Sequence, residues 1–471
     1  MHDNDDELEN SEELQNLKST LARYDEMVRN RDHYFFDVDA LIRIIDYHIE
    51  EGNHTKALEV SRYAYKLHPN SINFLLKQAQ VFAISGQSEK SLRLLENVER
   101  VNPNDVELLL IRGNIYNSLL RYTDAINCFK QALLLEEARD EVYLGMALTY
   151  QNMHEYSNAI KYYKLAISEN QNNEVAYEEL AMCYSYTDKI EDGISYFKQI
   201  IDSNPYSFLA WYNLGDLYSK LNLYERSLEA YDYSILIKDD FAPAHLDRAS
   251  VLAILGKYEE AIQKYKLTFE FSNPDAATYV NIAECYENLD KMDEARSYYK
   301  KAVKLQPEMS TAWYGIAITL EAEERWYEAI HYIRKALECE PHNSDYLLLI
   351  ADCEYRLNNN EAGEDYYKKA IAAGPENIDA WFGYITFLEE TGGIEKAVET
   401  TAQAIRLFPE SSELYYRQVC YLYLEGKISE SYNQLAIALD KDHLFHEVLF
   451  EILPSLKNDA TVLKMINNSR K

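Results

Sequence analysis

The stretch AWYNLGDLY, Ala210–Tyr218, returns as AWYGIAITL at Ala312–Leu320 and as AWFGYITFL at Ala380–Leu388. Trp211 and Trp313 stand 102 residues apart and Trp313 and Trp381 stand 68 apart, three and two periods of 34. A fixed period of this size marks a stack of small units, each too short to bury its own apolar face. With Trp211 as the fourth position of a 34-residue repeat, repeats 1–12 begin at Val38, Ile72, Val106, Asp140, Glu174, Phe208, Ala242, Ala276, Ser310, Ser344, Ile378 and Ser412. They cover residues 38–445 with no insertion or deletion.

Position 20 is Ala, Gly or Ser in all twelve repeats, from Ala57 to Ser431. Position 8 is Gly or Ala in nine, for example Gly113, Ala147 and Gly215. Small residues at helical spacing from large ones let two helices approach and interdigitate. Position 32 is Pro in seven repeats, where one helix must stop before the next begins. Position 15 holds Gly52, Gly86, Gly256, Gly392 or Gly426, with Asn222 and Asn358 as substitutes that tolerate the left-handed conformation ending a helix. Each repeat therefore reads as two antiparallel helices, over positions 2–14 and 18–31. The 41 tyrosines supply much of the packing, notably at positions 11, 17 and 24.

This order of Trp, Leu and Gly, then Tyr, then Ala, an aromatic, Ala and Pro resembles the tetratricopeptide repeat. Repeat 6 carries it most fully, through Trp211, Leu214, Gly215, Tyr218, Tyr224, Ser227 and Tyr231. The resemblance implies an all-α, right-handed superhelical solenoid of antiparallel helix pairs. Repeats 1, 11 and 12 depart at position 8, with Ile45, Ile385 and Val419, which predicts looser or altered stacking near the ends. Residues 1–37 read as an acidic disordered tail over 1–11 and a capping helix over 12–31, with Leu14, Leu17, Leu21, Tyr24 and Val28 on its apolar face. Residues 446–471 read as C-terminal capping helices.

Composition sets limits. Lys+Arg 47 against Asp+Glu 79 gives a net charge of −32, which repels phosphate backbones and argues against nucleic acid. No stretch approaches the roughly 18 apolar residues of a membrane span, and the N-terminus lacks a signal peptide's apolar core. A cytoplasmic protein without cofactor is expected. Cys183, Cys285 and Cys353 share one helical position and read as core residues. His443 and His446 lack the carboxylate or Cys company of a metal site. Outside the repeats, neither end is long enough for a catalytic domain, and no phosphate loop, G-x-S-x-G or H-E-x-x-H is present. The chain is not expected to be an enzyme.

As the resemblance implies, first helices line a concave groove, which positions 2, 5, 9, 12 and 13 should face. Of these sixty residues sixteen are acidic and two basic, Lys220 and Arg356. Position 2 is acid-rich for another reason, since acids near a helix N-terminus complement its dipole. Without that position the acid excess nearly vanishes, but the shortage of bases remains. Lysines gather at positions 25 and 26 instead. Tyr212, Tyr314, Phe382 and Tyr416 at position 5, with Tyr355, stand beside Asp216, Glu284, Glu287, Glu321, Asp352 and Glu389. These eleven are the candidate partner-binding residues, suited to a protein or peptide with basic and apolar side chains. The carboxylate-holding cluster of Lys, Arg and Asn known from some co-chaperones of this family is missing, since position 9 carries no base. An interaction adaptor is the leading reading. A structural spacer or self-assembling element, and a regulatory arm of a separate catalytic chain, are the alternatives.

Overall fold

A computed structural model describes residues 3–30, 34–69 and 71–469. Among the described residues the regular structure is helical throughout. In each repeat the first helix occupies about positions 1–13 and the second about 17–30, as in Phe208–Lys220 followed by Tyr224–Ile237. The chain divides into two compact halves, Met1–Asp239 and Asp240–Lys471, with the division at the end of repeat 6.

The recurrent tryptophan has a specific partner. The indole nitrogens of Trp211, Trp313 and Trp381 donate to the carbonyl oxygens of Pro205, Pro307 and Pro375 at 3.0, 2.8 and 3.0 Å. Proline stops the preceding helix and leaves a carbonyl facing outward; the indole six residues later closes it off. First helices are capped at their N-termini by Asp37, Asp105, Asn173, Ser207, Asp275, Asn343 and Asn377, whose side chains accept backbone N–H groups.

Position 15 is left-handed in every repeat. Besides the five glycines and two asparagines, Leu120, His154, Asp188, Asp290 and Glu324 take φ between 54° and 59°. The turn needs this conformation because the N–H three residues beyond the helix returns to a carbonyl near its end, as Leu223 does to Tyr218 at 2.9 Å. Tertiary stacking thus imposes on five ordinary residues a conformation they disfavour by about 1–2 kcal/mol each.

The ring at position 24 is the wedge that fixes the stack. A Cβ on Gly215 would stand 2.6 Å from the Tyr231 ring. Phe129 fills the space over Gly113 in its own repeat and over Gly145 in the next, each 2.6 Å from an added Cβ. Position 20 lies on the same seam: the hydroxyls of Ser91, Ser227 and Ser431 donate to the carbonyls of Ala79, Gly215 and Val419 at position 8. Of the looser or altered stacking expected from Ile45 and Ile385, the altered form is found. Both are fully buried, and the position-24 residues of those repeats are the small Ser61 and Thr401, also fully buried. Large and small have exchanged places, which conserves volume.

Two second helices end early. That of repeat 3 stops at Leu133 and gives way to a turn with Ala138 left-handed. That of repeat 7 stops at Leu267 and runs into a 3-10 turn, Thr268–Glu270. At the N-terminus the helix spans Asp3–Asn30, which overturns the expected disorder over most of 1–11; residues 1–2 lie outside the described residues. No Gly or Pro interrupts that stretch. Its seam uses Tyr24 and Met27, whereas Val28 is 56% exposed; the side chain of Leu14 lies outside the described residues. At the C-terminus Leu449, Leu456, Val462 and Ile466 are buried against Tyr416, Val419 and Leu435 of repeat 12. His443 and His446 belong to this closure: their ring nitrogens meet the carbonyls of Ile466 and His443 at 2.9 and 2.6 Å. Cys183, Cys285 and Cys353 are buried.

Candidate protein-binding face

Within each half, first helices of neighbouring repeats touch one another. Val106–Ser118 meets both Ile72–Ile84 and Arg139–Asn152, and Ser344–Arg356 meets both Ser310–Glu321 and Ile378–Glu390. Among the described residues no two second helices of neighbouring repeats pack comparably. First helices therefore line the inner side of the curve.

Of the eleven candidates, Tyr212 and Asp216 belong to the N-terminal half and the rest to the C-terminal half. Glu284 and Glu287 sit on Ala276–Asn288, Tyr314 and Glu321 on Ser310–Glu321, Asp352 and Tyr355 on Ser344–Arg356. The curve brings these side chains together. Burial, then Glu287, raises the carboxyl of Glu284 above its ordinary value; burial, then Asp352, does the same for Glu321. Asp352 is raised by burial against the opposing pull of the Tyr367 hydroxyl and Arg356. The Tyr314 hydroxyl, pushed up to about 12, is raised first by burial and then by Asp345, Tyr346, Glu287 and Asp352. Glu284 is exposed to solvent, yet protein curves around it on several sides. A wet carboxylate inside a concave wall loses part of its hydration without gaining a counter-charge.

Hydroxyls from behind reach this face. The position-24 tyrosines, read from sequence as packing alone, lie in the core but pass their hydroxyls between the first helices. Tyr299 donates to Glu287 at 2.9 Å, Tyr367 to Asp352, and Tyr163 to Gln151 at 2.6 Å; Tyr265 pairs with Ser250 at 2.9 Å. These bonds orient groove side chains without neutralising them.

Elsewhere the acids are compensated. Asp216 pairs with Lys220 at 2.7 Å. Glu389 accepts from the Tyr421 hydroxyl at 2.7 Å and lies 3.8 Å from Arg417. The Arg417 guanidinium also bonds Glu413 at 2.9 Å and covers the Phe382 ring, 5.4 Å from its centroid. Tyr355 is drawn to Glu390. Tyr416 is fully buried and donates to the Asp442 carbonyl at 2.7 Å, so it serves the C-terminal closure rather than an open groove. Its repeat has no full successor to leave that ring facing inward.

Sequence reasoning missed Arg417 and Lys77 because both occupy position 6. Positions 2, 6, 9 and 13 form one helical stripe, so the signal was available in the spacing. Lys77 lies 2.8 Å from Asp46 and 4.0 Å from Glu107. The lysines of positions 25 and 26 have a further contact that the spacing did not show. Six of the nine lie over aromatic rings, among them Lys164 over Tyr196 at 4.3 Å, Lys301 over Tyr298 at 4.0 Å and Lys335 over Trp313 at 4.4 Å. Among the described residues no group of His, Cys, Asp or Glu has the arrangement of a metal site, and no helix is long and apolar enough to cross a membrane.

Comparison with known proteins finds the same kind of repeat. A tetratricopeptide repeat family model matches residues 106–139, 140–173 and 276–309, which begin where repeats 3, 4 and 8 begin, and a second such model matches 196–229. A PRP39 N-terminal HAT repeat model matches residues 297–419. Protein crooked neck of Drosophila melanogaster is 28% identical over 89 residues, 19% of this chain and only 12% of that protein's length. Among solved structures, YrrB, described as a TPR protein with an unusual peptide-binding site, is 21% identical, with 39% of this chain and 95% of that chain covered and a TM-score of 0.34. MamA is 15% identical, with 36% and 94% covered and a TM-score of 0.34. With the 34-residue period, the helix pairs and the small-residue seam in view, the chain is a tetratricopeptide-repeat protein.

Proposed function

We propose that the chain is a non-enzymatic adaptor whose C-terminal half holds a segment of another protein on its inner face. Repeats of these families suit protein–protein interaction scaffolds. One observation carries the finer reading: Glu284, Glu287, Glu321 and Asp352 converge on three successive first helices. Burial raises the carboxyl of each. Tyr314 lies among them, its ring 4.7 Å from that of Tyr346. A segment bringing lysine or arginine replaces the lost hydration with charge-assisted hydrogen bonds, and apolar side chains beside it cover the rings. A cytoplasmic setting suits the six cysteines, all of them free thiols.

The test neutralises these four acids in one variant, E284Q/E287Q/E321Q/D352N, and compares the proteins each form retains from a native lysate. A basic partner kept by the native chain at low salt, released at high salt and lost by the variant supports the reading. A partner held equally by both forms at low salt refutes it. Glu389 is left unchanged because Tyr421 and Arg417 already engage it.

A further inference from the structure

On the outer side of the N-terminal half a cleft of about 380 Å³ lies between the second helices of repeats 4 and 5, Tyr156–Glu169 and Ile190–Ser203. Tyr184, from the first helix of repeat 5, lines it together with Lys164 and Tyr196. The same three residue types recur in repeats 7 and 8, where Lys266, Tyr286 and Tyr298 hold the matching positions 25, 11 and 23. There the set is closed, because the Lys266 ammonium donates to the Tyr286 hydroxyl at 2.8 Å. In repeats 4 and 5 it is open. The Tyr184 hydroxyl is buried without a hydrogen-bond partner. Among the described residues the Lys164 ammonium has neither an ion pair nor a hydrogen bond, only the Tyr196 ring at 4.3 Å and the Tyr184 ring at 5.5 Å. Position 20 accounts for the difference. In repeat 8 it is Ala295, and Tyr286 stays half-buried. In repeat 5 it is Gly193, where an added Cβ would stand 2.7 Å from the Tyr184 ring. Without that Cβ the ring sinks until Tyr184 is only 2% exposed, and its hydroxyl leaves the lysine's reach.

Both groups are left short of partners that burial makes costly to lack. Burial lowers the Lys164 value, against the opposing pull of Asp192. Burial, then Asp192, pushes the Tyr184 hydroxyl up to about 12, so it keeps its proton and can only be satisfied by an acceptor. Asp192 itself is exposed and forms no ion pair with Lys164. Lys189 is exposed at the rim. Lys164 and Lys189 against Asp192 leave the cleft one positive charge.

We infer that this cleft takes the carboxylate of an acidic side chain from a partner protein, with one oxygen on the Lys164 ammonium and the other on the Tyr184 hydroxyl. A carboxylate accepts at both oxygens and donates at neither, and its single charge matches the excess of one. Ser157, Lys189, Ser195 and Gln199 line the cleft and are exposed, so it opens outward to a protruding side chain rather than enclosing a free small molecule. The site shares no residue with the groove proposed in the C-terminal half and stands independently of it.

The experiment titrates four probes into the full chain and reads binding by saturation-transfer NMR. The probes are an end-blocked Ala-Glu-Ala tripeptide, its Ala-Gln-Ala counterpart, acetate and inorganic phosphate. The glutamate tripeptide should bind and the glutamine one should not. Tyr184→Phe and Lys164→Met should each weaken binding at least about tenfold, the scale of one charge-assisted hydrogen bond. Lys266→Met, in the closed set, should leave it unchanged. A second measurement needs no ligand and also reports folding. Tyr184→Phe removes an unpaired hydroxyl, so the thermal midpoint of the free chain should hold or rise, whereas Tyr286→Phe breaks the bond to Lys266 and should lower it. A midpoint lowered equally by both overturns the inference, because the Tyr184 hydroxyl then has a partner within the chain. Equal binding of the two tripeptides overturns it as well. So does tighter binding of acetate, which makes the ligand a free acid, or of phosphate, which makes it a different anion.

Discussion

Replacing Tyr367 with Phe removes one oxygen and leaves the ring in its seam, so it isolates the hydroxyl that reaches the groove. Tyr367 is 2% exposed, and its hydroxyl donates to Asp352, whose carboxyl is raised first by burial. A hydrogen bond to a charged acceptor contributes about 1.5–3 kcal/mol, so Tyr367→Phe should cost about 2 kcal/mol of local stability, near 30-fold in the opening equilibrium. A solenoid need not unfold in one step, so hydrogen exchange of the Ser344–Arg356 and Asn360–Ala373 amides is the suitable assay. The sign with pH follows from the same contact. The Tyr367 bond lowers the Asp352 value, so losing it raises that value further. The penalty is full where Asp352 is ionised and shrinks as pH falls through its titration, above the usual aspartate range. Tyr163→Phe is the control, because its hydroxyl donates to the neutral Gln151 at 2.6 Å. It should cost about 1 kcal/mol with no such pH dependence. Equal losses in both variants at neutral pH and in mild acid would refute the reasoning, as would no loss for Tyr367→Phe.

Four further outcomes follow from the seams, the turns and the groove. Leu120 is 71% exposed with φ 59°, so Leu120→Gly should raise the thermal midpoint, with relief of about 1 kcal/mol after glycine's own entropy cost; a lowered midpoint would show that its side chain matters more than its backbone. Gly215→Ala drives a Cβ to 2.6 Å from Tyr231 and should cost about 1–3 kcal/mol in denaturant unfolding. Gly256→Ala meets open space and pays only for its φ of +72°, about 1–2 kcal/mol. Binding of a basic peptide to the C-terminal groove should weaken as pH falls, beginning above the ordinary glutamate range because Glu284, Glu287 and Glu321 are raised; titration calorimetry across pH would show a flat profile if these acids take no part.

The period, the helix pairing and the small-residue seam were legible because each is a local rule repeated twelve times. A residue too large at position 20 closes the space between two helices, and one at position 8 needs a smaller partner at position 24, as Ile45 has in Ser61, so the pattern is written in nearly every repeat. The shortage of bases beside the acids of the first helices was legible for the same reason, as a property of a helical face. What tertiary structure decided is which of those acids remain uncompensated. Position 6 carries Arg417 into one stretch of the groove and Lys77 into another, and only the curvature that sets neighbouring first helices side by side reveals which carboxylates they meet. Tyr416 and Tyr314 share a position in the repeat, yet one is sealed under the C-terminal closure and the other stays at the groove, because the first has no full repeat beyond it. Leu120 and Glu324 take the left-handed turn that Gly52 takes freely, since the stacking of two helices outweighs the preference of one residue. Periodicity records what each repeat must do for itself. The binding surface belongs to the stack, and charge compensation across it depends on distances that no single repeat contains.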